Sequence, residues 1–215
     1  MNGALRRDPE TPVRLNKDRI EVDGRSIAAS KKIYLMLNKP RGIVTTASDE
    51  RGRDTVYKFL GDDLPWVGPV GRLDKASEGL LFLTNDTVWA DRITAPETHL
   101  DKTYHVQIGR IGDDSLLRKL TSGVRTKEGD LLRVKRASLL RQGERNSWLE
   151  INLDEGKNRQ IRRMMETLDI EVLRLIRVAI GPLALGDLPK SSVRALTPEE
   201  KLSLDHAMLT SARNS

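Results

Sequence analysis

The chain has 215 residues, 38% of them hydrophobic, enough to bury a real core in one medium domain or two closely joined lobes. Lysine and arginine outnumber the acids 37 to 31, and the net charge of +6 favours a polyanionic partner without requiring one. The absence of cysteine excludes disulfides, thiolate catalysis and Cys-ligated metal centres, and His99, His105 and His206 show no metal-ligand spacing. No apolar run approaches the ~20 residues that cross a bilayer, and Arg6-Arg7-Asp8-Pro9-Glu10 lacks the apolar core of a signal peptide. A cytoplasmic protein without metal is expected.

Residues 1 to 17 carry few apolar groups and two prolines, which predicts a mobile tail. Asp18 to Ile27 alternates polar and apolar residues around the turn glycine Gly24, a short strand. The globular part is expected to begin near Lys31. Ile33-Tyr34-Leu35-Met36-Leu37 is a compact apolar run stopped by Asn38-Lys39-Pro40-Arg41-Gly42, a strand and then a loop. Asp54 is placed to cap a short helix through Leu60. Leu80-Leu81-Phe82-Leu83 is apolar at every position, which fits a strand buried on both faces. Thr84-Asn85-Asp86 supplies a helix start, and Pro96 ends the following segment.

Thr103 to Ile108 alternates as a strand, and Asp113 to Leu120 reads as a helix ended near Gly123. Two further strands fit Leu131 to Leu140 and Trp148 to Leu153. Asn158 opens a helix in which Ile161, Met164, Met165 and Leu168 recur at the spacing of a buried stripe. Val172 to Ile180 is a strand broken by Gly181-Pro182. Thr197-Pro198-Glu199-Glu200 forms a capping box with proline at the first helical position, starting a terminal helix. Strands and helices mix without strict βαβ alternation, so the expected class is α+β around a largely antiparallel sheet.

The polar loop Gly71-Arg72-Leu73-Asp74-Lys75-Ala76-Ser77-Glu78-Gly79 precedes the buried strand, a place where catalytic side chains are commonly displayed. A carboxylate there is able to act as nucleophile, general base or counter-charge. Local composition alone favours the plainer reading, a turn aspartate bonded to its own backbone.

The run from Gly71 through Asp86 closely resembles the signature of the RsuA family of RNA pseudouridine synthases. It is joined in order by Leu37-Asn38-Lys39-Pro40-Arg41-Gly42, by Lys102-Thr103-Tyr104, and by Glu155-Gly156-Lys157-Asn158-Arg159-Gln160-Ile161-Arg162-Arg163-Met164. Leu173-Arg174-Leu175-Ile176-Arg177 follows, and the likeness spans roughly residues 31 to 190. It implies an isomerase that turns a uridine of ribosomal RNA into pseudouridine, with large-subunit RNA favoured, and needs neither cofactor nor metal. It also implies two lobes of one mixed sheet, 31–98 and 99–200, with an RNA-binding cleft between them. Residues 1–30 are set apart as tail and strand, 201–215 as C-terminal helix and tail, and a monomer is expected. Many family members begin with an S4-type RNA-binding module. Here only Asp18 to Ile27 resembles its last strand, which leaves a short member or a truncated chain.

By this resemblance Asp74 is the catalytic carboxylate, engaging the sugar as nucleophile or removing a sugar proton to form a glycal. Arg162 matches the arginine that pairs with it. The helical wheel agrees, placing Arg162 at the edge of the apolar stripe while Arg159 and Arg163 point away, toward solvent or RNA phosphates. Tyr104 is assigned to stack on the target uracil, Ile176 to line its pocket, and Arg72 to fill the RNA stack that the base has left. Lys39 organises the loops or meets phosphate, or is an ordinary surface lysine. Two other classes fit less well. A non-enzymatic RNA-binding or ribosome-assembly protein would tolerate changes at Asp74, Tyr104 or Arg162, and all three are intact. A glycoside hydrolase would require a second acid, for which the loop offers only Glu78.

Overall fold

The computed structural model describes residues 1–215 apart from 9, 15–16, 24, 28–30, 47–48, 50–51, 62 and 212–215. The chain divides into two compact units, Met1–Lys32 and Ile33–Ser215. In the first, β1 (Ile20–Val22) and β2 (Arg25–Ile27) form an antiparallel hairpin, where a single strand was expected. The turn glycine Gly24 lies outside the described residues. The segment expected as a mobile tail is tied to this hairpin's approach. Asn2 donates to the Asp18 carboxylate at 2.8 Å and accepts from the Arg19 N–H, while the Arg14 N–H reaches Asp18 at 2.7 Å.

The second unit is built on a nine-stranded sheet. In chain order its strands begin with β3 (Tyr34–Lys39), β4 (Gly68–Val70), β5 (Glu78–Thr84) and β6 (Lys102–Ile108). After the small β7 (Val124–Arg125) and β8 (Leu131–Leu132) pair come β9 (Arg136–Gln142), β10 (Ser147–Leu153) and β11 (Val172–Ile180). Two short strands, β12 (Leu183–Ala184) and β13 (Val193–Ala195), close the series. The spatial order is β13-β3-β5-β11-β6-β10-β9, with β12 beside β11 and β4 beside β5. Every pairing is antiparallel except β5 with β11. Helices α1 (Thr87–Thr94), α2 (Asp114–Ser122), α3 (Gln160–Thr167) and α4 (Pro198–Ser211) complete an α+β fold with a largely antiparallel sheet.

All seven residues of β5 are buried, because its two faces serve different cores. Leu80 and Phe82 pack with Met36, Trp89 and Leu204, while Leu81 and Leu83 pack with Leu37, Val56 and Leu73. Each such side chain contributes about 1.5–3 kcal/mol of burial. A third core joins α2 and α3 to β6, β10 and β11, and here the expected stripe residues Ile161, Met164 and Met165 are buried. Residues 183–208, placed by sequence order with the second lobe or beyond it, supply Leu183, Leu204 and Met208 to the core around Met36, Leu80 and Phe82. That core thus draws on both ends of the second unit.

Several boundaries follow hydrogen bonds that composition does not reveal. The capping box is present: the Thr197 N–H donates to Glu200 and the Glu200 N–H to the Thr197 hydroxyl. Asp113 caps α2, accepting from the Leu116 N–H at 2.7 Å. Asp54 does not cap; it pairs with Lys58, and the short helix is a 3-10 turn at Val56–Phe59. The strand expected from Leu131 to Leu140 is broken into β8 and β9, since the Val134 N–H turns away to donate to the Leu120 carbonyl.

The parallel seam depends on Gly79. Its φ is +102°, and an added Cβ would lie 2.2 Å from the Arg177 carbonyl oxygen, which is backbone and has no room to withdraw. Gly79→Ala is expected to lower stability by more than about 3 kcal/mol, read from the midpoint of urea unfolding. An unchanged midpoint would show that the seam tolerates separation.

Candidate active site

Asp74 is held by its backbone before its side chain is considered. Five consecutive loop carbonyls, Leu73 to Ser77, accept hydrogen bonds from four residues outside the loop. Thr45 donates to the Leu73 carbonyl at 2.9 Å, the Gly42 N–H to Lys75 at 2.7 Å, and Arg162 Nη2 to Ala76 at 2.9 Å. Lys39 Nζ donates to Asp74 at 3.2 Å and to Ser77 at 2.8 Å, with Pro40 as its third acceptor at 3.1 Å. Leu73 is plugged into the core under the loop.

Lys39 is entirely buried at the end of β3, opposite Gly79. An ammonium has three N–H donors, and three carbonyls surround it. Its burial overturns the surface reading of this lysine, and of the other two, loop organiser fits its position. Burial draws its pKa down to about 8, with Asp74 and Glu78 acting to raise it and Arg177 to lower it.

The Asp74 side chain, 32% exposed, borders a cavity of about 630 Å³. Its Oδ2 faces two guanidiniums: Arg159 Nη1 at 3.7 Å and Arg162 Nε at 4.0 Å. Sequence singled out Arg162 alone. Arg159 was read from a helical wheel begun at Asn158, but α3 begins at Gln160, and Arg159 precedes it in the left-handed region with φ of 48°. That turn swings Arg159 toward the aspartate. Arg162 is mostly buried, and its Nε finds no hydrogen-bond partner among the described residues. Burial, then the neighbouring Arg159, lower the Arg162 pKa, and Asp74 works against them.

The other expected residues divide. Tyr104 and the exposed Arg72 both line the cavity. Ile176 does not. On β11 its neighbours Leu175 and Arg177 line it instead, because successive strand residues point to opposite faces. Arg163 is drawn elsewhere, into ion pairs with Asp130 and Glu128 and a bond to Thr126. These bonds raise its pKa, Asp130 first and then Glu128.

Glu78 is buried away from the cavity lining, between Lys190 at 2.7 Å and Arg174 at 3.1 Å. Burial works to raise its carboxyl, but those two cations outweigh it and hold it below the usual carboxylate range. It is therefore not the second acid a hydrolase would need. Sequence reading missed Lys102, Leu175 and Arg177 as cavity walls. The signal available was a pair of arginines, 174 and 177, inside an otherwise apolar strand. Among the described residues no group of three His, Asp or Glu converges as a metal site.

Residues 33–167 match the family described as RNA pseudouridylate synthase. The chain is 38% identical over 184 residues to the ribosomal large subunit pseudouridine synthase B of Bacillus subtilis (strain 168), covering 85% of this chain and 75% of that one. It is 34% identical over 209 residues to an uncharacterized RNA pseudouridine synthase of Aquifex aeolicus (strain VF5), covering 97% and 84%. Among solved structures, a crystal structure of pseudouridylate synthase superposes with a TM-score of 0.71 at 29% identity, covering 94% of this chain and 86% of that one.

The buried ammonium makes stability depend on pH in a defined sense. Unfolded, a lysine keeps its proton to about 10.4, whereas Lys39 in the native protein releases it near 8. Between these values the unfolded chain binds more protons, so this group's contribution favours folding increasingly as pH rises. Lys39→Met should be less stable at neutral pH by about 1–3 kcal/mol, since the Pro40 and Ser77 carbonyls lose their donor. Urea unfolding of both proteins should show the native advantage growing from about pH 8 to about pH 10 and level below that window. A constant difference at all pH values would mean that Lys39 keeps an ordinary pKa.

Proposed function

The chain belongs to the RNA pseudouridylate synthase family, and on that premise we propose that it isomerises a uridine of ribosomal RNA with Asp74 as its catalytic carboxylate. The observation that carries the assignment is the pose of Asp74: backbone pinned through five carbonyls, carboxylate open to a cavity, one oxygen facing two guanidiniums. The name of the Bacillus subtilis relative supports ribosomal RNA, and specifically the large-subunit RNA, as substrate.

The reaction is a redistribution of bonds. The C1′–N1 bond of uridine breaks and its electron pair leaves with the uracil. Asp74 either bonds to C1′ or takes the C2′ proton to leave a glycal. The uracil then turns and C5 bonds to C1′ as the Asp74–C1′ bond breaks or, from the glycal, as C2′ takes its proton back from Asp74; the C5 proton then departs and N1 gains one. Atoms and electrons balance without any redox partner or group donor, so no cofactor is invoked. A cavity of about 630 Å³ has room for a uridine turned out of its RNA.

Tyr104, on the inner face of β6, offers a ring for the extruded base to stack on. Arg72 at the rim is placed to enter the gap the base leaves, offsetting part of a few kcal/mol of unstacking. Arg159 and Arg162 place two positive charges beside the Asp74 carboxylate as its counter-charge. Leu175 takes the pocket role that sequence gave to Ile176.

The test uses RNA tritiated at carbon 5 of uracil. The native protein should release tritium, and Asp74→Asn should reduce release by at least about 10³-fold. Arg162→Ala should be severely impaired too, because the carboxylate loses its buried counter-charge. Full activity of Asp74→Asn would sink the assignment. Folded native protein that binds ribosomal RNA but releases no tritium would favour an RNA-binding role, and free uracil would favour hydrolysis.

A further inference from the structure

Arg177 is the least explained charge in the second unit. It is only 6% exposed, yet it borders the cavity. Its Nε donates to the Leu80 carbonyl at 2.8 Å, which anchors the side chain across the β5–β11 seam. Among the described residues neither terminal nitrogen meets an acceptor, and Nη2 is sealed from solvent. No carboxylate pairs with it within 4.0 Å among the described residues. A buried guanidinium with no counter-charge, and with an acceptor for only one of its three nitrogens, is unfavourable.

Its neighbours do not relieve it. Arg177 lies opposite Tyr104 in the sheet register, so the guanidinium stands beside the ring assigned to the base. Lys102, two residues before Tyr104 on the same face of β6, also borders the cavity. Burial and then Arg177 lower the Lys102 pKa, with Asp101 and Asp154 opposing. Asp154 and Glu155 sit on the cavity wall; Glu155 is paired with Lys157 and Asp101 with Lys135, which leaves Asp154 to temper this end. At the other end Asp74 already has two arginines of its own. The wall under Tyr104 therefore carries unspent positive charge.

Resting on the reading above, one moment of the reaction calls for such charge. When C1′–N1 breaks, the electron pair passes to the uracil, which becomes a monoanion with charge spread over N1 and the two carbonyl oxygens. The charge is discharged when C5 bonds to C1′ and N1 is protonated. Asp74 and its arginines act on the sugar and supply no donor to the departing base. We propose that Arg177 is a further catalytic residue, its Nη1 N–H donating to a carbonyl oxygen of the uracil as that ring departs as an anion. Fixed donors aimed at charge that develops only in the transition state act without reorganisation in a site shielded from water. The anchor at Leu80 holds the guanidinium in place, and the cavity side of it is left for the base.

A purely structural arginine and an anion-stabilising one predict different responses to the leaving group. Fluorine at carbon 5 withdraws electrons and makes the uracil anion intrinsically more stable, so a departing 5-fluorouracil depends less on the protein. Single-turnover rates would be measured on ribosomal RNA transcribed with uridine or with 5-fluorouridine, counting C-glycoside nucleosides after digestion. Native protein must first release tritium from C5-labelled RNA, and Asp74→Asn must not; failure there would fall on the assignment of function, not on Arg177. Arg177→Met is expected to slow the uridine reaction about 10²–10³-fold, to change RNA affinity less than about 3-fold, and to lose at least about 10-fold less with 5-fluorouridine RNA. Arg177→Lys, which keeps a cation, should fall between, and it carries the same comparison should Arg177→Met fail to fold. Equal losses on both RNAs, or a loss confined to RNA affinity, would overturn the proposal.

Discussion

The site rests on one buried ammonium. Lys39 sits at the end of β3, fully enclosed, and gives its three N–H groups to carbonyls on both sides of the Asp74 loop. A loop of this length has many conformations of similar energy, and leaving its carbonyls unpaired in a dry interior would be unfavourable. Lys39, Thr45, Gly42 and Arg162 together satisfy five in succession, which leaves the loop one arrangement. Asp74 then faces the cavity because its backbone has no alternative. Rigid display of the carboxylate comes before any pairing of its side chain.

The second constraint is the seam between β5 and β11. It is the one parallel contact in a sheet that is otherwise antiparallel, and it brings residues 78–79 beside 176–177. Gly79 permits the close approach; Arg177 locks it through the Leu80 carbonyl; Glu78 is neutralised by Arg174 and Lys190 on the side away from the cavity. A parallel pair requires a long connection, and here that connection carries β6 to β10 and α1 to α3. The stretch that carries Tyr104, Arg159 and Arg162 is therefore positioned by a short length of backbone next to the Asp74 loop.

The motifs were legible because they are short, ordered and contiguous. So were the elements with a strong period or complete apolarity: β5, β11, α3 and the capped start of α4. What was not legible depended on one-residue decisions. Ile176 and Leu175 exchange roles because the pleat alternates faces, and a run of Leu, Ile and Val gives no phase. Arg159 was assigned away from the site because the wheel assumed a helix starting one or two residues early, whereas its left-handed backbone redirects it. Arg163 looked like a free cation until Glu128 and Asp130, more than thirty residues upstream, were brought beside it.

Asp74 itself is where the two sources of information meet. By itself the amino-acid sequence determined the α+β class, the family resemblance and the identity of the loop that carries the carboxylate. These are properties of local pattern and residue order, which survive without coordinates. Only the tertiary structure decided which cations surround that carboxylate, which face of β11 lines the cavity, and that Lys39 is interior. Those outcomes depend on contacts between residues 35 to nearly 100 positions apart, such as Lys39 with Asp74 and Arg162 with Ala76. Charge pairing and burial are set by the fold's closure, and no local pattern encodes them.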